Sequence, residues 1–303
     1  MPYYLNFIET FPTVFQLAEA PEEKVLKLWQ GLGYYSRARN LHFSAKWVVD
    51  KYQGVFPDTY KELLSLKGVG DYTASAIASI CFNRPTAVVD GNVYRVLSRV
   101  FGIDTPINST QGVKEFKELA QLLIDTSQPG THNQAIMEFG ARHCVPQNPD
   151  CANCIFSSNC SAYSSNRVTG LPVKIRKNKI KTHYYNYIIP LKGRSTFLEQ
   201  RKGKGIWQNL YQFPLIESPA MVDAKELKML SGYELLFQKF EIKDMTLYNH
   251  EVIVHKLSHK HLHTRFWIAE VETLENGIEF NNLENYPVPI LIGNFIQAFE
   301  AFN

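Results

Sequence analysis

Two predicted helices are joined by residues 66–74, whose sequence is Leu-Lys-Gly-Val-Gly-Asp-Tyr-Thr-Ala. In the Gly68-Val69-Gly70 turn, the two glycines allow positive φ angles and a close approach to another backbone. The helix that follows offers unpaired N–H groups and the positive end of its dipole to an anion. The stretch therefore predicts a phosphate-binding helical hairpin. An ordinary turn between two helices is the alternative, because a lone Gly-x-Gly motif is weak.

The hairpin lies within an all-helical N-terminal part of the chain, residues 1 to about 160. Apolar residues recur there at helical spacing, with Pro21 at the start of one helix and Ser36 and Asp58 as N-caps of two others. Further helices are predicted over 71–82, 91–101, 110–126 and 132–142.

After Cys160 the pattern changes to that of an α+β domain. Residues rich in β-branched and aromatic side chains predict strands at 184–191, 196–201, 234–242 and 251–254, and a closing amphipathic helix at 290–302. The polar stretch between the two patterns predicts a linker. We therefore predict a helical domain over 1–163, a linker over 164–181 and an α+β domain over 182–303.

Composition sets broad limits on the function. The net charge is +3, and no apolar run approaches the roughly 20 residues that span a bilayer. Without a basic region at the N-terminus that would indicate a signal peptide, we expect a cytoplasmic, nucleoid-associated protein that does not bind membranes.

Residues 151–198 contain no Asp or Glu, and this stretch is either a phosphate-neutralising surface or a solvated linker. Its basic residues are Arg167, Lys174, Arg176, Lys177, Lys179, Lys181, Lys192 and Arg194.

Asp90 stands in the sequence Val-Val-Asp-Gly-Asn-Val, directly before a predicted helix. It is well placed as the N-cap of that helix, and capping alone is one interpretation. The helix dipole also favours an ionised carboxylate there. Such an anion can stabilise the cationic sugar that forms when a glycosidic bond breaks.

Four of the five cysteines fall within seventeen residues, with spacings of six, two and five residues between them: Cys144, Cys151, Cys154 and Cys160. Thiolates grouped in this way bind zinc or an iron–sulfur cluster, and the ligand type leaves both open. Cys81 lies in an apolar helix and is predicted to be buried in the core.

The cysteine spacing at the end of a helical domain resembles the 4Fe–4S motif of the endonuclease III superfamily of helix-hairpin-helix DNA glycosylases. The hairpin followed by Val-Asp-Gly-Asn-Val strengthens that resemblance, which implies that Asp90 is the catalytic aspartate. Tyr72 stands where lyase members of the superfamily have a nucleophilic lysine, so the resemblance implies hydrolysis without Schiff-base chemistry.

Tyr72 is similar to the tyrosine that adenine DNA glycosylases of the MutY type have at this position. Residues 31–41, Gly-Leu-Gly-Tyr-Tyr-Ser-Arg-Ala-Arg-Asn-Leu, closely resemble a loop of that family. By this resemblance Tyr34 inserts into the base stack beside the lesion, whereas its composition alone favours a packed aromatic.

The second half resembles the Nudix-like C-terminal domain of the same family, which recognises 8-oxoguanine opposite the adenine. Residues 201–214 are similar to its strand–turn segment, but the Nudix catalytic box is absent, so nucleotide hydrolysis is not expected. By resemblance Ser258 and His259 contact the oxidised base, with Leu257 in place of the usual Phe. A metal site at the alternating His259, His261 and His263 is the rival interpretation.

The resemblance implies a monomeric enzyme that removes adenine opposite 8-oxoguanine or guanine in double-stranded DNA. It begins just after the family's Ser-Glu-x-x-Leu-Gln-Gln-Thr stretch, whose glutamate protonates the adenine. We therefore expect an N-terminally truncated fragment. The alternative is a non-catalytic module that binds mismatches.

Overall fold

The computed structural model describes residues 2–175 and 180–302. By contacts the chain divides into two compact units, Met1–Lys46 with Asn178–Asn303, and Trp47–Lys177. The predicted basic residues Arg176, Lys177 and Lys179, and with them part of the predicted linker, lie outside the described residues. The domain boundaries at 163 and 181 stay predictions.

The unit formed by Trp47–Lys177 is built from short helices, as the periodicity predicted. After α4 (Tyr35–Tyr52), which begins in the other unit, its helices are α5 (Tyr60–Leu63), α6 (Asp71–Phe82), α7 (Gly91–Phe101), α8 (Thr110–Leu123), α9 (Pro129–Arg142) and α10 (Ser161–Ser164), with a 3-10 turn at Val168–Gly170.

Two of the predicted N-caps in this half are wrong, Ser36 by two residues and Asp58 by one. α4 begins before Ser36, at Tyr35, and the cap of α5 is Thr59, whose hydroxyl accepts from the N–H of Glu62. Asp58 instead forms an ion pair with Arg84. The prediction at Asp90 is confirmed, since it caps α7.

The core of this unit forms where α7 and α8 pack. α7 ends at Gly102, in the left-handed region at φ 70°, which favours glycine. Between its two caps the helix buries Val93 and Leu97 against Phe116 of α8. The cap residue and the apolar stripe thus fix where Asp90 lies.

The other unit combines helices with a mixed sheet. Its helices are α1 (Pro2–Thr10), α2 (Val14–Glu19), α3 (Glu22–Leu28), α11 (Ala224–Lys228), α12 (Ser231–Phe240) and α13 (Ile290–Ala298), with 3-10 turns at Phe280–Asn285 and Glu300–Phe302. Its strands are β1 (Lys181–Lys192), β2 (Ser195–Thr196), β3 (Glu199–Gln200), β4 (Tyr211–Gln212), β5 (Leu215–Ser218), β6 (Ile242–Leu247), β7 (Ile253–Lys256), β8 (Lys260–Val271) and β9 (Ile278–Glu279).

Two long strands form the centre of this sheet. β1 and β8 run parallel, with Tyr184 opposite His263 and Ile188 opposite Trp267. In the described residues the sheet order is β6-β8-β1-β2-β9, while β5 pairs with β1, β7 pairs with β8, and β3 and β4 form a separate pair.

Neighbouring residues of β8 point to opposite faces of the sheet, as strand geometry requires. Trp267 packs in a cluster with Tyr233 and Phe240 of α12. Phe266 stacks on Phe295 of α13, with ring centroids 4.2 Å apart. Helices therefore cover both faces, and the predicted α+β class is confirmed.

The strand predicted at 234–242 is wrong, because α12 occupies most of it. The residues of α12 are mainly Glu, Leu, Phe, Gln and Lys, and Tyr233, Phe237 and Phe240 repeat at helical spacing.

Cys81 is exposed rather than buried in the core. Cys81 lies in the last turn of α6, which ends at Phe82, beyond the buried residues Ala74, Ser75, Ala78 and Ser79. Among the described residues no helix is long and apolar enough to cross a membrane.

Candidate nucleic-acid and catalytic site

The hairpin between α5 and α6 has the predicted positive φ at Gly68 but not at Gly70. Gly68 lies at φ 84°, and the N–H of Val69 donates to the carbonyl of buried Leu66 at 3.1 Å. Gly70 precedes α6 with a φ of −92°, which other residues also adopt. A Cβ at Gly70 would meet nothing within 4 Å among the described residues. Neither the backbone angle nor the packing of Gly70 requires a glycine. Because Gly70 is exposed and has no side chain, its backbone is open to solvent.

Tyr72 lies at the second position of α6, next to the hairpin. It is 47% exposed, and its hydroxyl lies 4.0 Å from Sδ of Met137. A phenol cannot form a Schiff base with a sugar, so this position offers no amine nucleophile.

Three donors hold the Asp90 carboxylate at the start of α7. Oδ1 accepts from the backbone N–H of Asn92 at 2.9 Å and of Val93 at 2.8 Å. Oδ2 accepts from Nδ2 of Asn92 at 2.9 Å. Donors of this kind and the helix dipole stabilise the anion, and the residue is half-buried. The same geometry serves the cap and fixes an oriented negative charge.

Arg95 links the Asp90 site to the cysteine loop. Its Nη2 donates to Oδ1 of Asn92 at 2.9 Å, and its Nε donates to the carbonyl of Cys144 at 2.7 Å. Nη2 also donates to the carbonyl of Gly140 at 2.6 Å. Burial lowers the pKa of Arg95, although the Cys144 and Asp90 charges oppose that effect. One guanidinium therefore orients the amide that in turn holds Asp90.

The four predicted ligand cysteines line a single recess. Arg99, which is 2% exposed, borders it and donates from Nη1 to Sγ of Cys144 at 3.4 Å. The N–H of Phe156 donates to Sγ of Cys154 at 3.4 Å. Burial, and then the charges of the neighbouring cysteines, raise the pKa of Cys151. Deprotonation of all four thiols therefore requires positive charge beside them.

Tyr34 stands on a turn that the glycines of its loop make possible. Gly31 and Gly33 have φ angles of 93° and 78°, and Tyr34 itself lies at φ 49°. Nε1 of Trp29 donates to the carbonyl of Gly33 at 2.9 Å and ties the loop to α3. Tyr34 is 71% exposed, with the Arg37 guanidinium 5.5 Å from its ring centroid. Because this bulky residue has a positive φ and an exposed ring, the packed-aromatic interpretation is wrong.

Tyr34, Ser258 and His259 line one groove in the unit formed by residues 1–46 and 178–303. Leu257 and Trp207 line it as well. Trp207 is 7% exposed at φ 59°, and its ring lies 5.6 Å from that of His255. The structure therefore brings together the residues that the resemblance assigned to the lesion.

Polar contacts fix the Tyr34 loop against residues 205–209. Nη1 of Arg39 donates to the carbonyl of Gln208 at 2.8 Å. Nδ2 of Asn209 donates to Oε1 of Glu22 at 2.6 Å. Burial lowers the pKa of Arg39, and the Glu22 charge opposes that effect. The groove is thus held by side chains from both ends of the chain.

Comparison with known proteins relates this geometry to a family. A family model described as HhH-GPD superfamily base excision DNA repair protein matches residues 1–122, and a NUDIX domain model matches residues 186–298. A relative named adenine DNA glycosylase from Buchnera aphidicola subsp. Baizongia pistaciae is 33% identical, over 100% of this chain and 85% of the relative. The chain belongs to the adenine DNA glycosylase family.

Two further proteins are similar to about half of this chain. The adenine DNA glycosylase of Homo sapiens is 48% identical over 53% of this chain and 30% of its own length. The solved structure of a thermostable thymine-DNA glycosylase matches with a TM-score of 0.50 at 31% identity, covering 54% of this chain and 76% of that one. As expected for an adenine DNA glycosylase, the helical fold and the Nudix-like fold are both present.

Sequence reasoning missed Arg95, Arg99 and Arg39, which position other residues of this adenine DNA glycosylase. Arg95 and Arg99 lie four residues apart on the face of α7 that also carries Asn92 and Ser98, so their spacing did not distinguish them from exposed charges. The rival metal site at the histidines His259, His261 and His263 is not supported. Within residues 2–175 and 180–302, no three His, Cys, Asp or Glu side chains form a group that could hold one metal ion.

Proposed function

We propose that this chain is a monofunctional adenine DNA glycosylase of base-excision repair that acts on adenine opposite 8-oxoguanine or guanine in double-stranded DNA. The observation that carries the proposal is Asp90, a carboxylate held by three donors in the unit that also contains the glycine hairpin. Membership of the adenine DNA glycosylase family supports the choice of base.

The hairpin supplies binding to the DNA backbone in this proposal. The N–H groups at the start of α6 donate to a phosphate, and the bare backbone at Gly70 permits its close approach. Phosphate contacts position a protein on a duplex without reading sequence. The target adenine leaves the base stack for hydrolysis, as a base must when its glycosidic bond is cut.

Asp90 stabilises the positive charge that develops on the sugar as the bond between C1′ and adenine N9 breaks. Adenine takes up a proton from the solvent and departs as a neutral base, and water adds its hydroxyl to C1′ and returns its other proton to the solvent, so no net proton is consumed. Because Tyr72 offers no amine, the products are free adenine and an abasic site in an intact strand.

The groove lined by Tyr34, Ser258 and His259 recognises the base opposite the target adenine. Ser258 and His259 supply hydrogen-bonding groups, and the exposed ring of Tyr34 inserts beside the lesion. A site that hydrogen-bonds one base rejects an analogue that lacks the partner group. We therefore assign the preference for 8-oxoguanine to these three residues.

The cysteines Cys144, Cys151, Cys154 and Cys160 are proposed to hold a 4Fe–4S cluster. The donor set fits, because all four thiols line one recess. When bound, the cluster cross-links the loop from Cys144 to Cys160. Iron and sulfide at about four each per chain are expected, and stoichiometric zinc instead would contradict the assignment.

We further propose that the protein works as a monomer in the cytoplasm, on the DNA of the nucleoid. Sedimentation should then give a single species near the chain mass of 34.8 kDa. A dimer at micromolar concentration would contradict this part of the proposal.

Single-turnover adenine release tests the proposed reaction. The full chain is mixed in excess with labelled duplexes that carry adenine opposite 8-oxoguanine, guanine or thymine, and abasic sites are cut with alkali. We expect release from the first two duplexes, and strand breaks only after alkali. Breaks without alkali would reveal a lyase, and binding without release would support the mismatch-binding module.

The matched control is Asp90→Asn, because asparagine caps a helix as well as aspartate does but carries no charge. We expect release to fall about 10²–10³-fold, the usual loss of a residue that stabilises developing charge. DNA binding and the melting temperature should change little. Equal release rates in both proteins would remove Asp90 from the reaction.

A further inference from the structure

The helix that follows the hairpin begins with a negative charge. Its first residue is Asp71, whose side chain is 51% exposed. A carboxylate there stabilises the helix dipole, but it repels a phosphate that approaches the same N–H groups. The chain thus places an anion where the proposed function requires a second anion to bind.

Lys117 of α8 pairs with this carboxylate. Its Nζ lies 3.0 Å from Oδ1 and 3.1 Å from Oδ2 of Asp71. The hydroxyl of Tyr60 donates to Oδ1 at 2.5 Å. Burial and the hydrogen bond to Asp71 raise the pKa of Tyr60 to about 12, so the phenol stays a neutral donor. One cation therefore balances the charge of one carboxylate.

Contacts from other elements hold the Lys117 ammonium in place. Nζ also donates to Oγ of Ser75 at 2.8 Å and to the carbonyl of Ala87 at 2.8 Å. Both partners are buried, and the Lys117 side chain is 25% exposed. Ser75 belongs to α6, and Ala87 to the segment that leads to Asp90. The ammonium is thus fixed between two parts of the proposed site, unlike a mobile surface lysine.

We propose that Lys117 is a positioning residue that neutralises the Asp71 carboxylate, so that the N–H groups of the hairpin can bind a DNA phosphate. The inference rests on the proposed role of the hairpin in DNA binding. Intact, the pair contributes no net charge. Without Lys117 it contributes one negative charge, and without the Asp71 carboxylate it contributes one positive charge.

Coulomb's law gives the size of the expected effect. A unit charge about 8 Å from a phosphate, at a dielectric intermediate between protein and water, changes the dissociation constant about five-fold at low salt. The effect should shrink as salt shortens the screening length to about 8 Å at physiological ionic strength.

The test is a charge cycle on the full chain. Wild type, Lys117→Met, Asp71→Asn and the double variant are titrated by fluorescence anisotropy with a lesion-free duplex at several salt concentrations. We expect about five-fold weaker binding for Lys117→Met, tighter binding for Asp71→Asn, and near wild-type binding for the double variant. A double variant as weak as Lys117→Met would overturn the proposal, because lost packing or a direct lysine contact would then explain the effect.

Two matched variants separate charge position from net charge and from packing. Lys114→Met removes a charge from the same helix at a residue that is 77% exposed and paired with Glu118. Tyr60→Phe removes a hydrogen bond to Asp71 without changing the charge. Both should shift the dissociation constant less than two-fold. A five-fold loss in Lys114→Met would overturn the inference, because any lysine would then serve equally.

The remaining outcomes also lead to a decision. If Lys117→Met does not fold by circular dichroism, Asp71→Asn alone is decisive, since the proposal requires it to bind more tightly than wild type. If wild type binds DNA and releases adenine but all variants bind alike, only this inference fails. If wild type neither binds DNA nor releases adenine, the proposed function fails with it.

Discussion

Replacing Arg99 by methionine should destabilise the unit formed by Trp47–Lys177 more than any exposed substitution. The guanidinium is 2% exposed and donates to carbonyls of two chain segments. Nη1 and Nη2 reach Val145 at 2.8 Å and Pro146 at 3.1 Å, and Nε reaches Val168 at 3.0 Å and Leu171 at 3.2 Å. A further N–H points to the sulfur of Cys144.

The magnitude follows from the partners left behind. A hydrogen bond from a charged donor contributes about 1.5–3 kcal/mol, and such contributions do not add fully. Some of the freed carbonyls will reach water, so we expect a loss of about 3–5 kcal/mol, the usual cost of removing one partner from a buried charged arrangement. That loss is a large part of the roughly 5–15 kcal/mol of a typical domain. It corresponds to a melting temperature lower by roughly 10–20 °C.

The assay is thermal unfolding followed by circular dichroism, together with the iron content of the purified protein. Arg99→Lys keeps the charge but not the fork of donors, so its loss should be intermediate. Arg142→Met is the control, because that side chain is 78% exposed and pairs with Glu138 on the surface; it should stay within about 0.5 kcal/mol. Melting of Arg99→Met within 2 °C of wild type, a threshold of roughly half a kcal/mol, would refute the reasoning.

Three further predictions follow from individual positions. Gly70→Ala should fold normally, within about 0.5 kcal/mol, because its φ and surroundings tolerate a Cβ, yet it should weaken DNA binding in an anisotropy titration; unchanged binding would place the phosphate elsewhere. Replacing Ser258 and His259 by Ala should cost about 1–3 kcal/mol more on a duplex with 8-oxoguanine than with guanine; equal losses would contradict lesion reading. Burial lowers the pKa of His42, so below about pH 6.5 the unfolded chain binds more protons than the folded chain, and the free energy of unfolding should decrease as the pH falls. His42→Gln should reduce that decrease in melting curves recorded at several pH values, and an unchanged pH dependence would contradict this prediction.

Local sequence predicted the catalytic half well. Both α6 and α7 begin and end where apolar periodicity placed them, and Asp90 caps α7 as predicted. These features depend on neighbouring residues, so they can be inferred without the rest of the fold. The convergence of the four cysteines on one recess likewise follows from their close spacing.

Features set by distant partners were not predicted. β8 is the longest strand of its sheet together with β1, but it is not among the predicted strands. Its pairing with β1 is parallel and joins residues about eighty positions apart, which no local pattern records. Arg95 and Arg99 were missed for the same reason, since their acceptors lie in the cysteine loop and beyond.

The division into two units has a consequence for synthesis on the ribosome. Trp47–Lys177 is continuous, so all of its partners have emerged well before translation ends. Residues 1–46, which are made first, belong with residues 178–303, which are made last. Arg39 and Glu22 therefore cannot form their hydrogen bonds until Gln208 and Asn209 have been synthesised. A premature stop codon after residue 177 would leave the early helices without those partners, so such products should be sensitive to proteases even where the helical unit has already formed.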